Sequence, residues 1–174
     1  MIRWRNLAVL LLTLGALGGC AGQAPPTAAG GASGEPTECR FPEPMTSLLK
    51  SHPDRAVAAC RHLAEQGDPA GEARLGFLYQ AGLGLPQDYA AAAGWYRMAA
   101  GQGNAAAQNN LALLYQNGQG VPVDLVRALA WFDLAAAQGG DAVRNRDALA
   151  ARMTKAQVDE ADALSRTLRP PPGP

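Results

Sequence analysis

Two pairs of glycines, Gly82-x-Gly84 and Gly118-x-Gly120, have the spacing that comes closest to a phosphate-binding loop. A dinucleotide-binding loop follows a β-strand and contains a third glycine that opens the next helix. In this chain a segment of helical character precedes each pair, and the second pair lies 36 residues after the first. The glycines therefore belong to a repeated turn, and we expect no phosphate site at either pair.

Other residues capable of chemistry are few and lack suitable partners. His52 and His62 do not complete the spacing of a metal site, and Asp133 and Asp141 have no carboxylate partner for acid–base catalysis. The usual hydrolase, metalloprotease and calcium-binding motifs are missing from the sequence. We therefore predict no catalytic residue, no metal and no cofactor.

The charge balance argues against a nucleic-acid partner. The chain has 15 Lys and Arg residues against 15 Asp and Glu residues, so its net charge is zero. A nucleic-acid-binding domain normally carries a basic patch and a basic excess. We expect no nucleic acid among the partners.

The N-terminus has the three parts of an export signal. A short basic segment carries Arg3 and Arg5, residues 7–17 are almost entirely apolar, and the run ends in Leu17-Gly18-Gly19-Cys20. This ending resembles a bacterial lipobox, which implies that Cys20 is lipidated and becomes the mature N-terminus. An ordinary signal peptide with an accidental cysteine, or an uncleaved anchor, are the alternatives. Ala21-Gly22 lacks the aspartate that usually retains a lipoprotein at the inner membrane, which favours the outer membrane.

Two further cysteines remain once Cys20 is assigned to lipid. Cys39 and Cys60 form an even pair in a chain routed to an oxidising compartment, which favours a structural disulfide. Free thiols are the main alternative, and a metal or redox pair is a third. Between Cys20 and this pair, residues 23–36 consist almost entirely of Ala, Gly, Pro, Ser and Thr, so we expect a disordered tether there.

The longest pattern in the chain is a repeat of 36 residues over residues 70–139, and such a period is typical of a helical repeat array. Small residues at matching positions would let helices approach closely, and the aromatic residues would fill the space between them. Glycines would reverse the chain, and aspartates would favour the start of the next helix. The positions in register are Tyr79 with Tyr115, Gly82 with Gly118, Gly84 with Gly120, Asp88 with Asp124, and Trp95 with Trp131.

These features predict an all-α fold, an α/α solenoid of helix-turn-helix repeats. The predicted helices cover residues 54–66, 70–80, 88–101, 105–116, 124–138, 141–152 and 154–168, and the last begins with a capping box at Thr154 and Gln157. The predicted organisation is a signal peptide (1–19), the lipidated cysteine and linker (20–36), a cap with a degenerate repeat (37–67), two repeats (68–103 and 104–139), capping helices (140–168) and a Pro-rich tail (169–174).

The repeat also resembles a known family. Residues 73–103 follow the pattern Ala-x-Leu-Gly-x-x-Tyr-x-x-Gly-x-Gly-Leu-Pro-x-Asp-Tyr-x-x-Ala-x-x-Trp-x-x-x-Ala-Ala-x-x-Gly, and residues 109–139 follow it nearly as well. This pattern is similar to the Sel-one-like repeat, a relative of the tetratricopeptide repeats. The resemblance implies protein–protein interaction and scaffolding rather than catalysis.

A binding site in such an array would be a surface rather than a pocket for catalysis. Stacked helix pairs present a concave wall lined by their first helices. Some positions on those helices are not used by the core of Ala, Leu and Tyr residues, and their side chains would suit a peptide segment. An ordinary solvated face is the alternative. The candidate positions are Arg74, Phe77, Asn110, Leu113 and Arg146.

Together these observations lead to one reading of the function. The chain is expected to be a non-catalytic adaptor, anchored by lipid to the outer membrane and facing the periplasm, that binds an unidentified envelope protein or peptide segment. The alternative is a localiser or regulator of a cell-envelope enzyme, for example one acting on peptidoglycan. A thiol-dependent enzyme and a secreted, unanchored effector are weaker rivals.

Overall fold

The computed structural model describes residue 47 and residues 50–169, and over these residues the chain is helical with no β-strand. Residues 47, 50 and 51 are also helical. The helices that follow are α1 (Pro53–Glu65), α2 (Pro69–Ala81), α3 (Tyr89–Gly101), α4 (Ala105–Asn117), α5 (Leu125–Ala136), α6 (Asp141–Ala150) and α7 (Lys155–Leu168).

Helices that are neighbours in sequence are also neighbours in space. From α1 to α5 each helix packs against the next, and α2 also touches α4, the first helix of the following repeat. The pattern changes at the C-terminal end, where α6 and α7 both pack against α5. The prediction of an all-α solenoid of helix-turn-helix repeats is confirmed.

The turn inside each repeat is closed by the same backbone contact. The backbone N–H of Asp88 donates to the carbonyl of Tyr79 at 2.9 Å, and that of Asp124 donates to Tyr115 at 3.0 Å. The two aspartates are also the N-caps of α3 and α5, because each side chain accepts a hydrogen bond from the first turn of its helix at 2.9 Å. A capped helix end leaves fewer N–H groups unpaired, so each aspartate sets where its helix begins.

The second glycine of each turn permits a close approach between repeats. Gly120 has a φ of +69°, and a Cβ at this position would lie 2.2 Å from the carbonyl carbon of Tyr89, the first residue of α3. Gly84 has a φ of +73°, and its Cβ would lie 2.9 Å from the carbonyl oxygen of Pro53, the first residue of α1. Each turn therefore rests on the first residue of a helix 31 residues earlier in the chain, and glycine is needed for the backbone conformation and for the space.

The buried aromatic residues differ from the expectation that both tryptophans fill the core. Trp131 is 6% exposed, but Trp95 is only partly buried and packs against the side chains between α1 and α2. The fully buried aromatics of the two second helices are Tyr96 and Phe132, each 0% exposed. These two residues also lie 36 apart, so the repeat buries the position after the tryptophan more consistently than the tryptophan itself.

The last helix begins as predicted. Thr154 and Gln157 form a reciprocal capping box, in which the Thr154 hydroxyl accepts from the Gln157 N–H and the Gln157 side chain accepts from the Thr154 N–H.

Several sequence predictions lie outside the described residues. These are the signal peptide, the lipid anchor at Cys20, the tether, Cys39 and the Pro-rich tail beyond residue 169. Cys60, the proposed partner of Cys39, lies in α1 and is fully buried. The proposed disulfide therefore stays a prediction.

Candidate functional site

A shallow groove of about 210 Å³ lies between α2 and α4, the first helices of the two repeats. Three of the five residues predicted for the binding face line it together, Arg74 and Phe77 from α2 and Asn110 from α4. The remaining lining residues are Ala70, Ala73, Asn104 and Ala106. The groove therefore combines one large apolar side chain with small alanines and two amides.

Phe77 is the most unusual residue in the groove, because 48% of its surface is exposed. Its helix buries Leu75 and Leu78 fully or almost fully, and these two residues supply the contacts with the core. Phe77 lies on the other side of α2, where the core does not cover it. An exposed phenylalanine beside small residues offers an apolar surface to a partner.

Asn110 is held in position from inside the protein. Tyr96, fully buried in α3, donates its hydroxyl proton to Gln80 Oε1 at 2.7 Å, and the Asn110 side chain bonds the same hydroxyl. Burial raises the pKa of the Tyr96 hydroxyl well above its ordinary value, and the bond to Asn110 offsets this in part. Asn110 Oδ1 also accepts from Asn109 Nδ2 at 3.4 Å. A primary amide has two N–H donors and two acceptor lone pairs, so Asn110 keeps capacity for a ligand beyond these contacts.

The other two predicted residues do not belong to this groove. Leu113 is partly buried and packs against the main core cluster. Arg146 lies on α6, where its guanidinium donates to Asp147 Oδ1 at 2.6 and 2.9 Å. The predicted row of five residues thus reduces to a patch of three, because the core uses one position and an ion pair on α6 occupies the other.

One polar contact to a buried side chain recurs in both repeats, and it was not predicted from the sequence. Gln102 donates to Glu72 Oε2 at 2.8 Å, and Gln138 donates to Gln108 Oε1 at 3.3 Å. Glu72 and Gln108 are each 1% exposed and lie 36 residues apart. Burial raises the pKa of the Glu72 carboxyl, the bond from Gln102 lowers it, and the charge of Asp68 raises it further. The matching 36-residue offset of both partners was the signal that could have revealed this pair.

A second carboxyl with a raised pKa lies where the last three helices meet. Burial raises the pKa of Asp133 on α5, the charge of Asp162 on α7 acts in the same direction, and Arg146 on α6 opposes them. The three side chains come from different helices, so this charge cluster belongs to the C-terminal end of the array rather than to the groove.

The described part of the chain shows no metal centre and no membrane-spanning helix. Within residues 47 and 50–169 no three His, Cys, Asp or Glu side chains lie close enough to hold a metal ion. His62 is exposed, and its Nε2 lies 3.2 Å from Gln66 Nε2. No helix in the same residues is long and apolar enough to cross a membrane.

Comparison with known proteins identifies the repeats. The Sel1 repeat family matches residues 69–104 and 105–140, which is two consecutive units of 36 residues. No curated protein matches the chain.

Two solved structures are similar to the chain. A protective antigen of uropathogenic Escherichia coli strains that displays an SLR fold is 33% identical, with a TM-score of 0.67 over 71% of this chain. A Sel1 repeat protein from Oxalobacter formigenes is 35% identical, with a TM-score of 0.53 over 60% of this chain. The matched region spans 28% and 44% of those two proteins, so this chain corresponds to less than half of either.

Both comparisons agree with the geometry of the repeats. Sel1 repeats are modules through which proteins bind other proteins, which fits a groove that is open, shallow and formed by two repeats together. With two consecutive repeat matches and two similar folds at 33% and 35% identity, the chain belongs to the Sel1-like repeat family through residues 69–140.

Proposed function

We propose that this chain is a non-catalytic adaptor, anchored by lipid in the bacterial envelope, that binds a segment of a partner protein in the groove between α2 and α4. The observation that carries the proposal is the half-exposed Phe77 in a groove that two Sel1 repeats build together. An isolated repeat would not form this groove, because Phe77 and Asn110 come from different repeats.

The size of the groove favours a peptide segment over a small molecule. Pockets that enclose drug-sized ligands usually measure about 300–1,000 Å³, whereas this groove measures about 210 Å³. It suits one apolar side chain of a partner against Phe77, with the partner's backbone within reach of the Asn110 amide. Only a small area is buried in such a contact, so we expect modest affinity from one groove alone.

The location rests on the N-terminal sequence. Cys20 follows an apolar run of signal-peptide length and precedes a flexible linker composition, which supports a lipid anchor in the outer membrane with the repeats facing the periplasm. We expect Cys20→Ser to shift the protein from the membrane fraction to the soluble fraction. If the variant still sediments with membranes like the wild type, the lipid anchor is wrong.

The groove is tested by photo-crosslinking in cells with benzoylphenylalanine in place of Phe77. This aromatic analogue keeps the apolar character of the side chain and points into the groove. The control carries the same crosslinker at Ala148, which is exposed on α6 and does not line the groove.

A discrete protein adduct at Phe77 that is missing at Ala148 supports the adaptor function and identifies the partner. An envelope enzyme in that adduct would favour the alternative function, a localiser or regulator of such an enzyme. Equal adducts at both positions, or adducts at neither, would contradict binding in this groove.

A further inference from the structure

A larger cleft lies on the opposite helices of the array, where α3 and α7 approach each other over α4 and α5. Its volume is about 490 Å³, more than twice that of the groove between α2 and α4. The side chains of Tyr115 and Trp131 line it together with residues of α3 and α7. The lining residues are Arg97, Gly101, Tyr115, Arg127, Trp131, Leu164, Thr167 and Leu168.

The cleft exists because α7 covers only part of the surface formed by the second helices. This helix packs against α5, so Leu164 and Leu168 form one wall. The other wall is the C-terminal end of α3, which includes Gly101. A Cβ added to Gly101 would meet no atom within 4 Å. Met98, one turn earlier, is 51% exposed. The space beside Gly101 is therefore open, and its surroundings are largely apolar.

Two arginines give the cleft a positive charge. Arg97 donates to the Tyr115 hydroxyl at 3.2 Å, and the Arg127 guanidinium lies 5.8 Å from the centre of the Tyr115 ring. Arg127 also contacts Asp124 at 3.3 Å, whereas no carboxylate pairs with Arg97 among the described residues. None of the residues that line the cleft is acidic. A ligand that carries a carboxylate next to an apolar group would complement both features.

We propose that this cleft is a second docking site, which binds an acidic segment of a partner protein through one aromatic or aliphatic side chain flanked by Asp or Glu. The apolar side chain fills the space beside Gly101 against Trp131 and Leu168. The neighbouring carboxylate binds the guanidinium of Arg97, whose fork of N–H donors matches a carboxylate. The volume of about 490 Å³ leaves room for a bulky side chain together with the residues that flank it.

The residues that follow α7 in the sequence do not carry the charge that would complement the cleft. Residues 169–174 follow Leu168 directly, but they contain Arg169 and no acidic residue. These residues therefore offer no carboxylate side chain to Arg97. An acidic segment of a partner protein supplies the carboxylate that residues 169–174 lack, and this charge complementarity favours it over them as the occupant.

The test selects ligands from a displayed library of random twelve-residue peptides on the purified full chain. The selected peptides are then measured against three variants. Gly101→Leu places a side chain inside the cleft, and Gly94→Leu is its matched control, since Gly94 lies on the same helix, has equally open surroundings and does not line the cleft. Both replace a helical glycine by a better helix former, so both should fold. Phe77→Ser reports on the groove between α2 and α4.

We expect the selected peptides to be acidic and to carry one aromatic or aliphatic anchor residue. Their binding should weaken about tenfold or more in Gly101→Leu, as for a blocked anchor pocket, and stay unchanged in Gly94→Leu and Phe77→Ser. Arg97→Glu should weaken it about fivefold, which is the upper end for an exposed charge pair, and added salt should reduce the effect of this substitution.

Peptides without acidic residues, binding that Gly101→Leu leaves intact, or no enriched peptide would overturn the second site. Peptides blocked by Phe77→Ser but not by Gly101→Leu would overturn it as well, while supporting the groove of the proposed function.

Discussion

The second helices of the two repeats, α3 and α5, have matching sequences but different surroundings. On α5, Trp131 and Leu134 are each 6% exposed. At the equivalent positions of α3, Trp95 is only partly buried and Met98 is 51% exposed. One difference between these surroundings is that α7 packs against α5, whereas no helix among residues 50–169 takes the equivalent place over α3. The repeat therefore sets the side of each helix that faces the core, and the capping helix decides whether the opposite side is buried.

The largest effect should come from truncating the tryptophans one at a time. Trp131→Ala should lower the free energy of unfolding by about 3–5 kcal/mol, as for a core aromatic residue. Trp95→Ala should cost roughly half as much, because the side chain is only partly buried and loses less apolar area. Urea unfolding followed by circular dichroism measures both. Equal losses would mean that α7 does not protect Trp131.

The cover supplied by α7 can be removed directly. Ala161 on α7 is 0% exposed and belongs to the main core cluster, so Ala161→Asp buries an unpaired carboxylate and should cost about 3 kcal/mol. We expect α7 to detach and the indole N–H of Trp131 to exchange with solvent faster in NMR spectra. Ala163→Asp is the control, since Ala163 is exposed on the same helix and should change little. Slow exchange of the Trp131 indole N–H in both variants would contradict the claim that α7 covers this side chain.

The turns of the two repeats can be compared through their second glycines. Gly120→Ala should cost about 2–3 kcal/mol, because the added Cβ meets the Tyr89 backbone at 2.2 Å and the φ is positive. Gly84→Ala should cost less, since its closest atom would lie at 2.9 Å. Thermal unfolding of the two variants gives the order, and a reversed order would show that the inter-repeat contact at Gly120 relaxes freely.

The smallest change replaces Glu72 by the glutamine that the next repeat carries at Gln108. In Glu72→Gln the new amide can accept from Gln102 and donate to the carbonyl of Ala64, as Gln108 donates to Ala100 at 3.1 Å. We expect a gain of about 1 kcal/mol at neutral pH, since a buried charge is replaced by a neutral hydrogen-bonding group.

The gain from Glu72→Gln should depend on pH in a defined direction. The raised pKa of Glu72 means that its protonated form suits the folded state, so the stability it contributes is lost as the pH rises through that pKa. The difference between variant and wild type should be small in acid and grow towards neutral pH. A constant difference over this range in urea titrations would contradict a raised pKa at Glu72.

The fold was predictable because its determinants are local and occur twice. The N-caps Asp88 and Asp124 act within one turn of their own helices, and the positive φ of Gly84 and Gly120 follows from the residue type in a tight turn. The candidate groove was predicted only in part. Arg74, Phe77 and Asn110 come together as expected, but the position of Leu113 relative to the core depends on how neighbouring repeats pack.

The sequence by itself determined the 36-residue period, the all-α class and the places where helices begin, because each depends on residues close together in the chain. Tertiary structure decided which tryptophan is buried, how Glu72 pairs with Gln102 across 30 residues, and where the cleft opens between α3 and α7. The physical reason is that burial is a property of neighbours. Equivalent positions of the two repeats differ in burial because α7 packs against α5 and not against α3.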